Sequence, residues 1–472
     1  MNSEELYLNE ASNKQEMMLS APVSLLTIKL AIPSIVIMMV SSFYNMADTY
    51  FVSFIGTSAT AGVGVVYSLM GIIQATGYFF GHGSGNFISR SLGAKKIPEA
   101  EKMAATGFFS SFGIGIFFVV FGIIFIMPLA RILGSTDTIL PFSVDYLRYI
   151  LLGAPFMVSS LMLNNILRYQ GSSFFGMIGM VTGAIINIAL DPIFIFIFGL
   201  GVKGASLATM LSQCISFFLL LFAACGKKGN LRISFKNFSP SVFHYREMVR
   251  GGLPSLLRQS LHSLTALLLN HAAGPYGDAV IAAISIVNRI ITMANSAILG
   301  LGQSFQPICG FNYGAGRYDR VKKAFWFCLW LSTVLLIIVS ILGYIFARPI
   351  IAQFRPDDAV VISVGTFMLR MNCLPLSLLG WTFLVGILLQ TMGKALLASI
   401  HAFARQGLFF VLSFLIMVPT LGILGIQLCA PVAEILSFVM SLFMGISAFR
   451  KDLSATNPSS LSNPQSLSEV PL

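Results

Sequence analysis

The sequence predicts an all-α, polytopic membrane protein with twelve transmembrane helices in two pseudo-symmetric six-helix lobes and with both termini in the cytoplasm. Three observations lead to this prediction. Of the 472 residues, 56% are hydrophobic and only 10% are charged, whereas a soluble globular chain carries about 25% charged residues. Apolar runs of about 20 residues, long enough to cross a bilayer as a helix, recur along the chain. The two halves of the chain also resemble each other at a constant spacing.

Twelve apolar segments are predicted to cross the membrane as helices. They lie at residues 25–50, 60–86, 103–128, 146–167, 174–198, 203–225, 251–273, 279–308, 324–347, 362–390, 396–420 and 424–448. Of the 29 Lys and Arg residues, 22 fall on the side shared with the termini and six on the other. Because loops rich in Lys and Arg stay in the cytoplasm, both termini are expected there. This asymmetry explains most of the net charge of +11, so we expect no nucleic-acid partner.

Polar segments flank and divide these spans. Residues 1–20 are polar and carry several glutamates, unlike a cleavable signal peptide, so we expect a cytoplasmic N-terminal segment. Residues 227–250 are predicted to be a cytoplasmic linker between an N-lobe at 21–226 and a C-lobe at 251–449. Residues 450–472 include a stretch rich in Ser, Pro and Asn and are expected to form a disordered cytoplasmic tail.

The internal repeat has an offset of 221 residues, at which Pro33 matches Pro254 and Gly81 matches Gly302. Since each half has an even number of spans, both halves begin on the same side and the repeat is parallel. Two such lobes with a cavity between them are the architecture of a transporter that works by alternating access. Pro33, Pro192 and Pro254 lie within spans and are expected to act as hinges.

Two aspartates are predicted at membrane depth in the N-lobe, Asp48 in the first span and Asp191 in the fifth. A carboxylate in hydrocarbon costs at least about 2.5 kcal/mol, which predicts a use for it. Asn187 lies one helical turn before Asp191, and Thr209 returns at a similar depth in the sixth span. The cluster could share a proton, because two close carboxylates cannot both ionise cheaply, or its oxygens could hold Na⁺. The structural alternative is that Asp191 only bonds backbone groups freed by Pro192.

A second set of polar residues is predicted to line a substrate cavity or to act in gating: Tyr44, Asn45, Arg258, Gln259, His262, Arg289 and Glu434. Each of three has a structural alternative: Arg258 can extend to the membrane interface, His262 can be a hydrogen-bonded core residue, and Glu434 can serve helix packing. The N-lobe is expected to hold the coupling ion, because Leu269 occupies the C-lobe position equivalent to Asp48. The 41 Phe and 22 Met residues suit adaptable binding of apolar ligands.

Four stretches resemble the MATE (multidrug and toxic compound extrusion) transporters. They are "PSIVIMMVSSFYNMADTYFVSFIG" at 33–56, "NIALDPIFIFIFGLGVKGASLAT" at 187–209, "GLGQSFQPICGFNYGAGRYD" at 300–319 and "GGLPSLLRQSL" at 251–261, the last being similar to the MepA-like branch. The resemblance extends over nearly the whole chain, about residues 20–450.

This resemblance implies an exporter that expels organic cations and other lipophilic drugs in exchange for H⁺ or Na⁺. We expect the protein to lie in the plasma membrane, to act as a monomer and to use no cofactor. The family's cation site matches Asp48, Asn187, Asp191 and Thr209 here. Some branches carry a glutamate in the seventh span, where this chain has His262, so the resemblance does not extend to a second cation site in the C-lobe.

The closest alternative is a lipid-linked oligosaccharide flippase of related two-lobed architecture. Such proteins usually have more spans and a cationic cavity for a pyrophosphate headgroup, whereas this chain carries acids in its first lobe. An intramembrane enzyme is not expected, because the sequence contains neither an HExxH zinc motif nor a GxSxG nucleophile motif.

Overall fold

The structure, a computed structural model, describes residues 15–225, 231–354, 356 and 358–454, apart from the side chains of residues 57, 267 and 278. Within these ranges the chain is helical and contains no strand. Much of the predicted N-terminal segment 1–20 and most of the tail 450–472 lie outside the described residues, as do residues 227–230 of the predicted linker.

Twelve long helices follow one another in the described ranges, and they coincide with the twelve predicted spans to within a few turns. They are α1 (Val23–Ser53), α2 (Thr57–Gly93), α3 (Ile97–Ile124), α4 (Leu140–Tyr169), α5 (Ser173–Ile197), α6 (Val202–Cys225), α7 (Val242–Ala273), α8 (Asp278–Gly314), α9 (Tyr318–Ile345), α10 (Ala359–Thr391), α11 (Ala395–Leu421) and α12 (Ile423–Lys451).

Eleven of these helices are long and apolar enough to cross a membrane, which confirms a polytopic helical membrane protein. Helix α7 is not among them, because Arg258, Gln259 and His262 make it too polar, so the crossing predicted at 251–273 stays a prediction. The third span, predicted to reach residue 128, is shorter: α3 ends at Ile124, and a separate short helix, Ile126–Ile132, follows. Pro128 explains the break, since it has no N–H and its ring would crowd the carbonyl group of Ile124.

The predicted repeat is visible in the backbone. Gly201 and Gly422, which are 221 residues apart, have φ angles of 56° and 59°, and they precede α6 and α12. Gly56 and Gly277 likewise have positive φ angles, and they precede α2 and α8. This region of φ is costly for residues with a Cβ atom, so the repeated glycines keep equivalent turns in both halves.

The helices pack as two groups. Within the first, α2 packs on α4, α4 on α6 and α1 on α5; within the second, α11 packs on α12 and α8 on α10. The groups meet where α1 packs on α8 and where α2 packs on α7 and α8. Each group has an apolar core, and another apolar cluster joins both.

The two lobes are joined tightly at one end of the bundle, called here the terminal end because it holds residues 15–22 and 452–454. Arg90, near the end of α2, donates to the carbonyl oxygen of Thr391 at 2.7 Å and pairs with Glu247 at 3.2 Å. Near it, Gly93 lies directly against the backbone of Phe311 in α8. These contacts close the terminal end, and the cavities described below lie beyond them.

We expect Gly93→Ala to weaken this closure. The added methyl group would overlap the carbonyl oxygen of Phe311, which is fixed within α8. Overpacking of this kind lowers the free energy of unfolding by about 1–3 kcal/mol, which is measurable as a lower melting temperature in detergent. Gly113→Ala is the matched control, because nothing lies within 4 Å of a methyl group there. Equal melting temperatures of the two variants would contradict this account of the interface.

Candidate functional site

Asp48 lies in α1 and is buried, with 1% of its surface exposed. Its Oδ2 atom accepts a hydrogen bond from the hydroxyl of Tyr67 at 2.9 Å and another from the hydroxyl of Tyr146 at 3.1 Å. Its Oδ1 atom is buried and has no hydrogen-bond partner in the described residues. Asp48 is therefore oriented by neutral donors and keeps one oxygen free to accept.

Asp191 is fully buried at the end of the α-helical part of α5. With the amide of Asn187 oriented so that its nitrogen faces the carboxylate, it donates to Asp191 Oδ2 at 3.2 Å. The amide oxygen then accepts from the hydroxyl and the backbone N–H of Thr209, each at 3.3 Å. The structure thus brings Asn187, Asp191 and Thr209 together, as predicted, and the donors at Asp191 belong to a side chain rather than to backbone freed by Pro192.

Tyr44 lies near both carboxylates. It is buried next to Thr209 and Gln213 of α6, and it lies within electrostatic range of both Asp48 and Asp191. The two carboxylates are also within electrostatic range of each other. In the described part of the chain, neither forms an ion pair with a Lys or Arg side chain. We call Tyr44, Asp48, Asn187, Asp191 and Thr209 the N-lobe acidic site.

The N-lobe acidic site has the chemistry to take up a small cation. Two close carboxylates without a counter-charge favour binding of one positive charge, either as a proton or as an ion held by oxygen atoms. No group of three or more His, Cys, Asp or Glu side chains that could hold a metal ion occurs among the described residues. An Na⁺ ion here would therefore need the amide and hydroxyl oxygens of Asn187 and Thr209 as well.

Tyr67 and Tyr146 were not predicted as site residues. They lie 19 and 98 residues from Asp48 along the chain, on α2 and α4. The only hint in the sequence is that a tyrosine in an apolar span needs a partner for its hydroxyl. That hint does not identify the partner, which only the packing of α1 against α2 and α4 reveals.

The C-lobe has no copy of this site. At the repeat offset, the positions equivalent to Asp48, Asn187, Asp191 and Thr209 hold apolar residues. These are Leu269, Leu408, Leu412 and Ala430. Leu269 packs into the apolar core of the C-lobe. The chemical inequality of the lobes predicted from Leu269 therefore extends to all four positions.

Glu434, predicted to lie near the cavity or in a helix interface, pairs with Arg405 of α11 at 3.4 Å. Both line a cavity of about 170 Å³ within the C-lobe, together with His262 and Leu269. Arg405 belongs to a π-helical turn, Ala404–Leu408, within α11. The 22 Lys and Arg residues counted on the side of the termini include Arg405, as part of a basic segment at 394–405. The structure corrects this placement, because Arg405 lies ten residues into α11 and lines a cavity inside the protein.

The remaining predicted cavity residues occupy two spaces between the lobes. Asn45, Arg258, Gln259 and His262 line a central cavity of about 270 Å³ between α1, α2, α7 and α8. Arg289 lies elsewhere, in a more apolar cleft of about 320 Å³ between α1 and α8 that Asn45 also lines.

The predicted hinge prolines lie inside helices: Pro33 in α1, Pro192 in α5 and Pro254 in α7. After Pro192 the helix changes to a π-helical turn, Ile193–Ile197. Pro254 lines a small cavity that also contains Arg258. No hinge motion is visible in one structure, so their role as hinges stays a prediction.

The chain is similar to known proteins over most of its length. The MatE family model matches residues 33–193 and 254–415, two segments that begin 221 residues apart. The multidrug export protein MepA of Staphylococcus haemolyticus is 28% identical over 420 residues, covering 88% of this chain and 91% of the relative. MepA of Staphylococcus aureus strain MRSA252 is 27% identical over 449 residues, covering 94% and 96%.

A solved structure described as the outward-facing conformation of a multidrug resistance MATE family transporter superposes with a TM-score of 0.87. It is 27% identical and covers 92% of this chain and 98% of its own. The similarity therefore extends over both lobes and not over one shared segment.

We expect a double-mutant cycle to detect the hydrogen bond between Tyr146 and Asp48. Tyr146→Phe removes one of the two donors to Oδ2, and a hydrogen bond to a charged group contributes about 1.5–3 kcal/mol. The melting temperature should fall more in the wild-type background than in Asp48→Asn. Tyr149→Phe on the same helix is the control, because its hydroxyl forms no hydrogen bond in the described residues. Equal losses in both backgrounds would show that the bond contributes nothing.

Proposed function

The chain belongs to the MatE family, and from that premise we propose that it is a secondary active multidrug efflux transporter driven by exchange for H⁺ or Na⁺. Its substrates would be lipophilic drugs, among them organic cations. The family membership and the multidrug export proteins among its relatives support the transport of drugs. The N-lobe acidic site supports the coupling to a cation.

The single observation that carries the coupling is the absence of a counter-charge at Asp48 and Asp191 in the described residues. Charged groups removed from water are destabilising unless they are paired or neutralised. A site of this kind is therefore more stable when a proton or Na⁺ has bound. Binding of that cation lowers the free energy of whichever conformation places the carboxylates closest together.

The proposed cycle uses this dependence. Asp48 is on α1 and Asp191 on α5, and these helices pack on each other. Entry of a cation removes the repulsion between the carboxylates and allows α1 and α5 to approach, with bending near Pro33 and Pro192. Because α1 also lines the central cavity, this movement changes the cavity and releases the drug. Departure of the cation on the other side restores the first arrangement.

We also propose that the protein lies in the plasma membrane with its terminal end in the cytoplasm. Several basic residues lie at that end, among them Lys95, Lys96 and Arg317, in agreement with the positive-inside rule. The lobes are joined there by Arg90 and Gly93. In this orientation the cavities of the structure would face the outside, the state from which a drug leaves.

The flippase alternative is favoured by one observation, the presence of Arg258 and Arg405 in the central cavity. Guanidinium groups bind phosphate well. Against it stand the match of the family model to both lobes and the multidrug export names of the relatives. We therefore retain drug efflux as the proposed function.

Asp191→Asn is expected to reduce ethidium efflux from whole cells to the level of cells without the transporter, because the variant loses the charge that attracts the coupling ion. Asp145→Asn is the matched control: Asp145 lies in the same lobe and pairs with exposed Lys203 at 3.5 Å. Expression of all variants is equalised by immunoblot. Wild-type efflux by Asp191→Asn would refute the coupling role.

Proteoliposomes then identify the ion. Wild type and Asp191→Asn are compared first under a pH gradient and then under an Na⁺ gradient. We expect one gradient to drive ethidium transport by the wild type and neither to drive it in the variant. Transport driven equally well by both proteins would contradict the assignment.

A further inference from the structure

The central cavity has a charge opposite to that of the N-lobe acidic site. Its lining includes two arginines, Arg258 and Arg405, and two histidines, His82 and His262, and no Asp or Glu residue among the described residues. Among the described residues, the only carboxylate paired with either arginine is Glu434, which belongs to the neighbouring C-lobe cavity. Within that part of the chain, one guanidinium group therefore has no counter-charge.

That group is Arg258, one turn after Pro254 in α7. Its Nη2 atom donates to the hydroxyl of Ser255 at 3.3 Å, and its guanidinium group lies 5.5 Å from the centre of the Phe383 ring. It forms no ion pair in the described part of the chain. A guanidinium group has five N–H donors, so most of them remain available to a ligand in the cavity.

Arg405 reinforces the positive charge. It lies within electrostatic range of Arg258. Its guanidinium group is also 5.5 Å from the centre of the Phe383 ring, so both arginines make a cation–π contact with this ring. Its π-helical turn, Ala404–Leu408, widens α11 at this point. Such turns are rare and occur frequently at functional sites. Glu434 offsets the charge of Arg405 but leaves that of Arg258 unbalanced.

A third arginine lies near the cavity but does not line it. Arg168 is 2% exposed, and it donates to the side-chain oxygens of Asn165 and of Gln306 in the other lobe. Arg168 and Arg258 both lie within electrostatic range of Tyr78 and His82 in the wall. Arg168 donates to neutral amides and does not line the cavity, so Arg258 is the arginine whose charge and donors are both presented to a ligand there.

We propose that the central cavity binds the carboxylate group of acidic or zwitterionic aromatic drugs, with Arg258 as the carboxylate-binding residue and Phe383 and Tyr78 as the apolar walls. This inference rests on the proposed function and specifies its substrate class. Among the described residues that line the cavity, one guanidinium group is without a paired carboxylate, which suits one carboxylate better than a pyrophosphate. The volume of about 270 Å³ suits a compact aromatic acid.

The test compares two fluorescent probes that differ only in charge, dansylglycine and dansylglycine amide, binding to the full-length protein in lipid nanodiscs. We expect the acid to bind at least about tenfold more tightly than the amide, the factor expected of a charge-assisted hydrogen bond. Arg258→Gln should reduce the affinity for the acid to that for the amide. Arg258→Lys should retain part of the preference, because it keeps the charge but loses the fork of donors.

Arg370→Gln is the matched control, since Arg370 also lies over an aromatic ring, that of Tyr344, but outside this cavity. It should keep the wild-type preference. Melting temperatures of all variants, measured in the same nanodiscs, identify any variant that is not folded. If Arg258→Gln is not folded, the affinities of Arg258→Lys for the acid and the amide test the proposal instead.

Equal affinity of the wild type for acid and amide would overturn the proposal, and so would a preference that survives in Arg258→Gln. Tighter binding of geranylgeranyl phosphate than of dansylglycine, lost in the same variant, would overturn it in favour of a lipid phosphate. These outcomes can be distinguished from failure of the proposed function. If ethidium efflux persists while the acid binds no more tightly than the amide, the proposed efflux function is kept and only the proposed binding of a carboxylate is wrong.

Discussion

The constraint on which this structure depends is a set of two buried carboxylates that no Lys or Arg side chain pairs with in the described residues. A single charged group in hydrocarbon costs at least about 2.5 kcal/mol, and Asp48 and Asp191 lie within electrostatic range of each other. The protein limits this cost with neutral donors: two tyrosine hydroxyls for Asp48 and an amide for Asp191. Neutral donors stabilise a carboxylate without cancelling its charge, and the proposed binding of a mobile cation depends on that remaining charge.

The two lobes share a backbone plan and differ in chemistry. Glycines with positive φ recur at the repeat offset, whereas the four polar positions of the N-lobe acidic site become apolar in the C-lobe. The C-lobe carries its buried charges elsewhere, in the pair of Arg405 with Glu434 and in Arg258. The buried carboxylates of the N-lobe and the arginines Arg258 and Arg405 therefore lie in separate places, and of the two sets only the arginines line the central cavity.

Much of this could be predicted from the sequence, because hydrophobic length and membrane cost are local properties. The spans, the repeat, and the grouping of Asn187 with Asp191 and Thr209 follow from spacing along one helix or two adjacent ones. The partners of Asp48 could not be predicted, since Tyr146 is 98 residues away. Arg405 was misplaced for a similar reason: a basic residue near the start of a span is normally at the interface, and only the tertiary packing of α11 shows it inside.

Leu269 and the other apolar residues at the repeat positions leave the C-lobe without a copy of the N-lobe acidic site. This difference would determine how much net charge the proposed exchange moves. A protein with one cation site that exchanges one H⁺ or Na⁺ for a monovalent organic cation moves no net charge. The same exchange for a zwitterion carries one positive charge inward in each turnover. The membrane voltage, worth about 2.3 kcal/mol per elementary charge per 100 mV, would then add to the ion gradient. Drugs of different net charge would therefore be expelled to different limiting concentrations by the same protein.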